Sequence, residues 1–177
     1  EAFTGARITT SATRVGGMMA DLPEGWTDGL QNFIDTFLNT LDEIDCLLTR
    51  NQIHIGRSQG VGAISAEDAI NSGFTGPNLR ASGVDYDVRK DQPYYDYETY
   101  DFEIPVGRHG DCYDRYLCRM EEMRQSISLL RQALDRLPDG PIDVEDPNIS
   151  LPSKTDCMSD MESMIHHFKL ITEGIPA

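Results

Sequence analysis

The run Gly73–Ser126, GFTGPNLRASGVDYDVRKDQPYYDYETYDFEIPVGRHGDCYDRYLCRMEEMRQS, joins a charged, glycine-punctuated, aromatic-rich segment directly to a long amphipathic helix. Between Thr75 and Gly110 the pairs Gly76-Pro77 and Ser82-Gly83, with Pro93 and Pro105, interrupt every period, so irregular structure with at most short strands is expected. A stretch that long inside a compact domain is either functional or pinned by many contacts. Its basic and acidic residues and its tyrosines (Tyr94, Tyr95, Tyr97, Tyr100) argue for pinning. From Asp111, a suitable N-cap, an apolar seam through Tyr113, Leu117, Met120, Met123, Ile127, Leu130 and Leu134 predicts a helix that stops at Pro138-Asp139-Gly140-Pro141.

Upstream, residues 1 to 25 hold a β-prone start, Arg7-Ile8-Thr9-Thr10, followed by breaks at Gly16-Gly17 and Leu22-Pro23-Glu24-Gly25. Leu30, Phe33, Ile34, Phe37, Leu38, Leu41, Ile44 and Leu48 then recur at spacings of three and four, which predicts a helix from about Thr27 to Thr49. Ser65 with Asp68 resembles a capping box, and Gly73 offers a stop, giving a short helix over 66–72. Downstream, Ile142 to Lys154 is rich in Pro and Asp and reads as extended. A last helix from about Thr155 places Met158, Met161, Ile165, Phe168 and Ile171 on one side, ending at Gly174 and Pro176. The expected fold is mainly α: a helical-bundle core of three long helices with a long irregular loop layer and minor β structure. The seams of the first and third helices suggest antiparallel neighbours.

With 177 residues the chain is expected to form a single domain over 1–177. Thirty acidic against fifteen basic residues give a formal net charge of -15, which disfavours nucleic acid and anionic lipid as partners. No apolar run approaches the roughly 20 residues that span a bilayer. Cys46, Cys112, Cys118 and Cys157 show no C-x-x-C pair or spaced His partner, and read as free thiols acting as small buried apolar groups.

Arg14 stands between the β-prone start and the Gly16-Gly17 turn, where a guanidinium could project from backbone that approaches another group closely. Arg57, Arg80, Asp85, Asp87, Arg89 and Lys90 form a charge set that no helical face explains. It could serve as a proton or anion path, but buried ion pairs holding the long loop are the favoured reading. His166 and His167 are about 100° apart on a helix and cannot chelate together, while His54 and His109 stand alone in turn-like contexts. No P-loop, dinucleotide fingerprint or nucleophile elbow is present.

Several of these segments carry a family resemblance when taken in order. Arg14-Val15-Gly16-Gly17 with Asp21-Leu22-Pro23, Thr49-Arg50-Asn51-Gln52-Ile53, Gly56-Arg57 leading to Gly60-Val61-Gly62, the opening run, Leu137-Pro138-Asp139-Gly140-Pro141, and Ile165-His166-His167-Phe168-Lys169-Leu170 with Glu173-Gly174 resemble the quinone-cavity (D) subunit family of NADH-quinone oxidoreductase, or complex I. That family is similar in fold to the large subunit of nickel-iron hydrogenases. The resemblance covers nearly the whole chain and implies the central part of the hydrogenase-large-subunit-like fold. It also implies that the chain is an internal fragment, inactive alone, with the quinone-headgroup His and Tyr lying upstream of Glu1. By resemblance, the chain binds no cofactor and supplies wall and charge to a quinone cavity, while the terminal iron–sulfur cluster belongs to the adjoining (B) subunit. Implied partners are the subunits B and C of the same complex and its membrane arm, at the cytoplasmic side of the plasma membrane or the mitochondrial matrix side.

Within the resemblance, the Arg of R-x-G-G, here Arg14 with Gly16 and Gly17, lies near that cluster, where a positive charge favours the reduced state. Many relatives carry a His five residues earlier, where this chain has Thr9, which cannot titrate near neutral pH. Two other readings stay open. A hydrogenase large subunit requires paired cysteines for nickel, absent from this span, whereas a non-catalytic assembly or scaffold module of a hydrogenase-like membrane-bound complex fits the residue patterns equally well.

Overall fold

A computed structural model describes residues 1–173. The described chain is mainly helical with one two-stranded sheet, and it divides into two compact units. One is Thr27–Leu137; the other combines Glu1–Trp26 with the described residues from Pro138 onward.

The first unit is built on two long helices, α1 (Trp26–Leu48) and α6 (Cys112–Asp135). Cross-links between them run in opposite directions along the chain: Arg131 to Asp35 at 3.4 Å, Arg124 to Asp42 at 3.7 Å, and Tyr116 Oη to Thr49 Oγ1 at 2.9 Å. Steps of about seven in each direction are the signature of antiparallel helices meeting along one stripe. The same period sets the core, with Ile34 and Leu41 fully buried on α1 and Met120 and Ile127 buried on α6. The antiparallel neighbour of α1 within its unit is therefore the second long helix.

Between the long helices lie short ones. The helix α2 (Gln52–Ser58) is absent from the sequence-based expectation; it starts where Asn51 Oδ1 accepts from the Ile53 and His54 N–H groups at 2.9 and 3.3 Å. The helix α3 (Ala66–Asn71) follows the expected Ser65 cap, whose Oγ accepts from Asp68 N at 3.1 Å. The segment expected to be irregular with at most strands instead holds α4 (Gly76–Ala81), α5 (Val88–Asp91) and a 3-10 turn at Tyr97–Thr99, and no strand. Proline explains α4. Near a helix start its missing N–H costs nothing, and Pro77 sits there rather than breaking a longer element.

The second unit begins with a hairpin, β1 (Thr13–Arg14) and β2 (Gly17–Met18), paired antiparallel with Arg14 opposite Gly17. The β structure thus lies after the expected Arg7–Thr10 stretch, which is irregular. Asp143, in the spacer read as extended, forms a bridge to Gly17, and Val144 N donates to Gly16 O at 2.8 Å. The expected last helix is two, α7 (Lys154–Ser159) and α8 (Met161–Glu173). Asp160 separates them in an extended conformation, and its Oδ2 accepts from Ser163 N and Oγ, both at 2.8 Å, as the cap of α8. Those two bonds hold the Asp160 carboxyl below its usual range. The stop at Gly174 and Pro176 lies outside the described residues. The apolar side expected on this helix is exposed in this structure, with Met161 76% and Phe168 61% accessible.

Candidate functional site

The glycine pair after Arg14 exists because the hairpin lies flat against Asp143. A Cβ on Gly17 would stand 2.8 Å from Asp143 Cα and overlap the Ile142 carbonyl, and Gly16 turns the chain at φ +90°. Met18 N donates both to Ile142 O at 3.2 Å and to Asp143 Oδ1 at 2.9 Å. On this platform the exposed Arg14 side chain folds back over its own strand. Its Nη1 donates to Ser11 O and to Thr13 O at 3.0 Å, and its Nη2 lies 3.9 Å from Met19 Sδ. Arg14 joins no ion pair among the described residues. Its charge is positioned by carbonyl oxygens and left uncancelled, which suits it to act on negative charge brought from outside. Thr9 is exposed in the irregular stretch before the hairpin.

The six charges grouped by sequence separate in the first unit. Arg80 on α4 and Asp87, the N-cap of α5, are buried at 5% and 4% exposure and pair at 3.3 Å. Arg89 grips the same carboxylate with two bonds, Nε to Oδ1 at 3.0 Å and Nη2 to Oδ2 at 2.6 Å. The other side of Arg80 meets Glu122 of α6, and its Nη1 also donates to Tyr86 O at 3.1 Å. Glu122, 42 residues away, is the member that sequence grouping missed; only its i+4 placement after Cys118 on the buried side of α6 hinted at it. The Arg89 guanidinium bonded to Asp87 holds that carboxyl below its ordinary value despite burial, and the same bond to Asp87 pushes Arg89 up. Two cations and two anions balance within the set. Arg57, exposed on α2, and Asp85, exposed before α5, stand outside this set among the described residues. Lys90 and Arg89 instead lie over the buried Phe102 ring, each 4.8 Å from its centroid.

A second anchor lies at the start of α6. Asp111 caps the helix through Asp114 N at 2.8 Å and accepts from Gly60 N at 2.7 Å. Asp114 in turn accepts from the N–H groups of Arg108 and His109, both at 2.7 Å, with the His109 ring Nδ1 at 3.2 Å. Burial opposes the Asp114 charge, but these three donors outweigh it and keep its carboxyl below the usual range. His109 is therefore not isolated, nor is His54, which packs edge-on against Tyr116 at 4.9 Å. Gly107 allows the loop to close: a Cβ there would lie 2.7 Å from Ala81 O. The cysteines depart from the uniform buried reading. Cys46 and Cys112 are exposed, whereas Cys118 is buried and its thiol is pushed up by burial. Among the described residues no group of three or more His, Cys, Asp or Glu side chains could hold a metal ion, and no helix is long and apolar enough to cross a membrane.

Comparison with known proteins bears on the whole chain. Residues 1–177 match the family described as respiratory-chain NADH dehydrogenase, 49 Kd subunit. Relatives named as the (D) subunit of NADH-quinone oxidoreductase include that of Myxococcus xanthus, 58% identical over 173 residues, covering 98% of this chain and 42% of the relative. That of Methylacidiphilum infernorum is 55% identical over 175 residues, covering 99% and 42%, and that of Akkermansia muciniphila is 50% identical over 177, covering 100% and 43%. The chain thus spans about two fifths of the length of these curated relatives.

Proposed function

Because the chain belongs to the 49 Kd subunit family of respiratory-chain NADH dehydrogenase, we propose that it forms part of the quinone-cavity subunit of an NADH-quinone oxidoreductase. In that role it helps electrons pass from a terminal iron–sulfur cluster, held by a neighbouring subunit, to quinone. The observation that carries this reading is Arg14: an exposed guanidinium on a glycine-braced hairpin, held by its own backbone carbonyls and matched by no carboxylate among the described residues. The hairpin offers a cation and neither thiolate nor imidazole, which fits a chain that faces a cluster without ligating it. The cluster, when present in the neighbour, supplies the one-electron chemistry. The role of this chain is to lower the energy of the negative charge that arrives with the electron.

Partners are then the cluster-bearing subunit, its companions in the peripheral arm and the membrane arm, on the cytoplasmic or matrix side. The balanced Arg80–Asp87–Arg89–Glu122 set serves the same subunit as a clamp and not as a proton path. The test is redox titration of the terminal cluster by electron paramagnetic resonance in the assembled complex carrying Arg14→Met. The midpoint potential should fall by tens of millivolts, on the order of 1 kcal/mol of lost attraction, and Arg14→Lys should restore most of it. An unchanged potential in an intact complex would sink the assignment of Arg14. Loss of quinone reduction on Arg80→Ala in a normally assembled, normally stable complex would overturn the clamp reading.

A further inference from the structure

The hairpin that carries Arg14 has two residues in each strand, Thr13–Arg14 against Gly17–Met18, and a lone two-stranded hairpin is marginal in water even when longer. Residues 142–144 supply a third extended segment, bridged to Gly17 through Asp143. Val144 N donates to Gly16 O at 2.8 Å and Met18 N to Ile142 O at 3.2 Å. Asp143 adds a side-chain bond to this backbone ladder, from Met18 N to Oδ1 at 2.9 Å. It is the shorter of the two bonds that this N–H makes, and the one with a charged acceptor.

Gly17 and this carboxylate are fitted to each other. A Cβ on Gly17 would overlap Asp143 Oδ1, so the space a side chain would take is where the carboxylate lies. The bond reaches Arg14 through one strand pairing. Met18 is the partner of Thr13 in the register, and the Thr13 carbonyl is one of the acceptors that hold the guanidinium, 3.0 Å from Nη1. Freeing Met18 therefore loosens the strand whose carbonyl oxygens aim the charge.

We propose that Asp143 is a positioning residue for Arg14: its carboxylate fixes β2, and through β2 the place of the guanidinium relative to the terminal cluster of the neighbouring subunit. The inference rests on the role given to Arg14 above. Asp143 and Arg14 form no ion pair among the described residues, so the influence runs through the backbone. It works against the field of Asp143 itself, because a carboxylate disfavours an arriving electron.

Two substitutions separate placement from field. Asp143→Asn removes the charge and keeps an oxygen acceptor for the Met18 N–H, whereas Asp143→Ala removes both. In the assembled complex, redox titration of the cluster by electron paramagnetic resonance should give a lower midpoint potential for Asp143→Ala than for Asp143→Asn. The difference should be smaller than the fall caused by Arg14→Met, since a loosened charge acts from longer distances and a deleted one not at all. Hydrogen-exchange protection of the Met18 amide should be lost in Asp143→Ala and kept in Asp143→Asn. With Arg14→Met also present, the two Asp143 variants should have the same potential.

Equal potentials for Asp143→Ala and Asp143→Asn, where Arg14→Met does lower the potential, overturn the positioning role and leave the role of Arg14 standing. A difference that persists without Arg14 overturns it as well, because Asp143 then acts by another route. No fall in Arg14→Met removes the role of Arg14 and this inference with it. If Asp143→Ala yields no intact complex, Asp143→Ser takes its place, being uncharged with a hydroxyl that ends one bond short of Oδ1.

Discussion

Arg14 and Arg80 put the same side chain to opposite uses. Arg80 is 5% exposed and shared between Asp87 and Glu122, so its charge is spent inside the fold on joining α4 and α5 to α6. Arg14 lies on the surface of a two-stranded hairpin, donates only to neighbouring backbone and side-chain groups, and faces no carboxylate among the described residues. An enclosed, compensated guanidinium is a structural tie, and removing it leaves buried anions; an exposed, uncompensated one contributes little to folding and keeps its field available to a partner. The contrast predicts that stability and function divide between the two positions.

The largest effect is expected from Arg80→Ala. It takes the cation from Glu122 and leaves buried Asp87 to Arg89 alone, and breaking a buried ion pair by removing one partner costs about 3–5 kcal/mol. Urea unfolding should show a correspondingly lower midpoint; a change below about 1 kcal/mol would mean that the network carries no stability and would erase the contrast with Arg14.

Acid should dissolve the same tie. The Asp87 carboxyl is held below its ordinary value of 3.8 in the folded chain, so its contribution is complete above that unfolded value and is lost as pH falls through the lowered folded one. Asp114 shares the direction. Stability measured against pH should therefore decline below about pH 4. Asp87→Asn should cost about 1.5–3 kcal/mol at neutral pH, the scale of a hydrogen bond to a charged group, and flatten that decline. A variant with an unaltered acid limb would show that Asp87 is not the group that titrates.

On the Arg14 side, Gly17→Ala should cost about 1–3 kcal/mol, since its Cβ would be driven into the Asp143 backbone and the hairpin must lift away. Gly25→Ala is the control, since nothing lies within 4 Å of a Cβ there, although its φ of +73° adds local strain. Thermal melts of both variants separate close packing from turn conformation.

What the residues revealed in advance follows the range of the interactions. The two long helices were legible because α1 and α6 repeat an apolar stripe over more than twenty residues, and Ser65 and Asp111 cap as their side chains dictate. Of the short helices α3 was legible through its Ser65 cap, whereas α2, α4 and α5 were not, because they are too short to show a period. The break at Asp160 was hidden by an apolar pattern that continues across it, although a Ser three residues after an Asp was a usable cap signal. In the site, Arg80, Asp87 and Arg89 were recognisable as a local charge cluster, but Glu122 enters only when α4 packs on α6, a contact 42 residues apart in sequence. The Arg14 platform had the same blind spot: the glycine pair announced a close approach, and only folding showed that Asp143 is what approaches.

The smallest effect on stability belongs to Arg14→Met, and it is the sharpest test of the comparison. Surface substitutions away from caps, strain and buried partners change stability by less than about 0.5 kcal/mol, and Arg14 gives up only exposed bonds to Ser11 and Thr13 that water can replace. Melting temperature and the hydrogen-exchange protection of the Met18 and Val144 amides, both held by the hairpin platform, should therefore be unchanged. If those amides lose protection, the guanidinium is itself a strut of the hairpin, and any fall in cluster potential could be a displacement of the backbone and not a missing charge. If they stay protected while the potential falls, the two arginines have separated cleanly: one guanidinium holds the fold together, and the other acts through its field on a group that this chain does not bind.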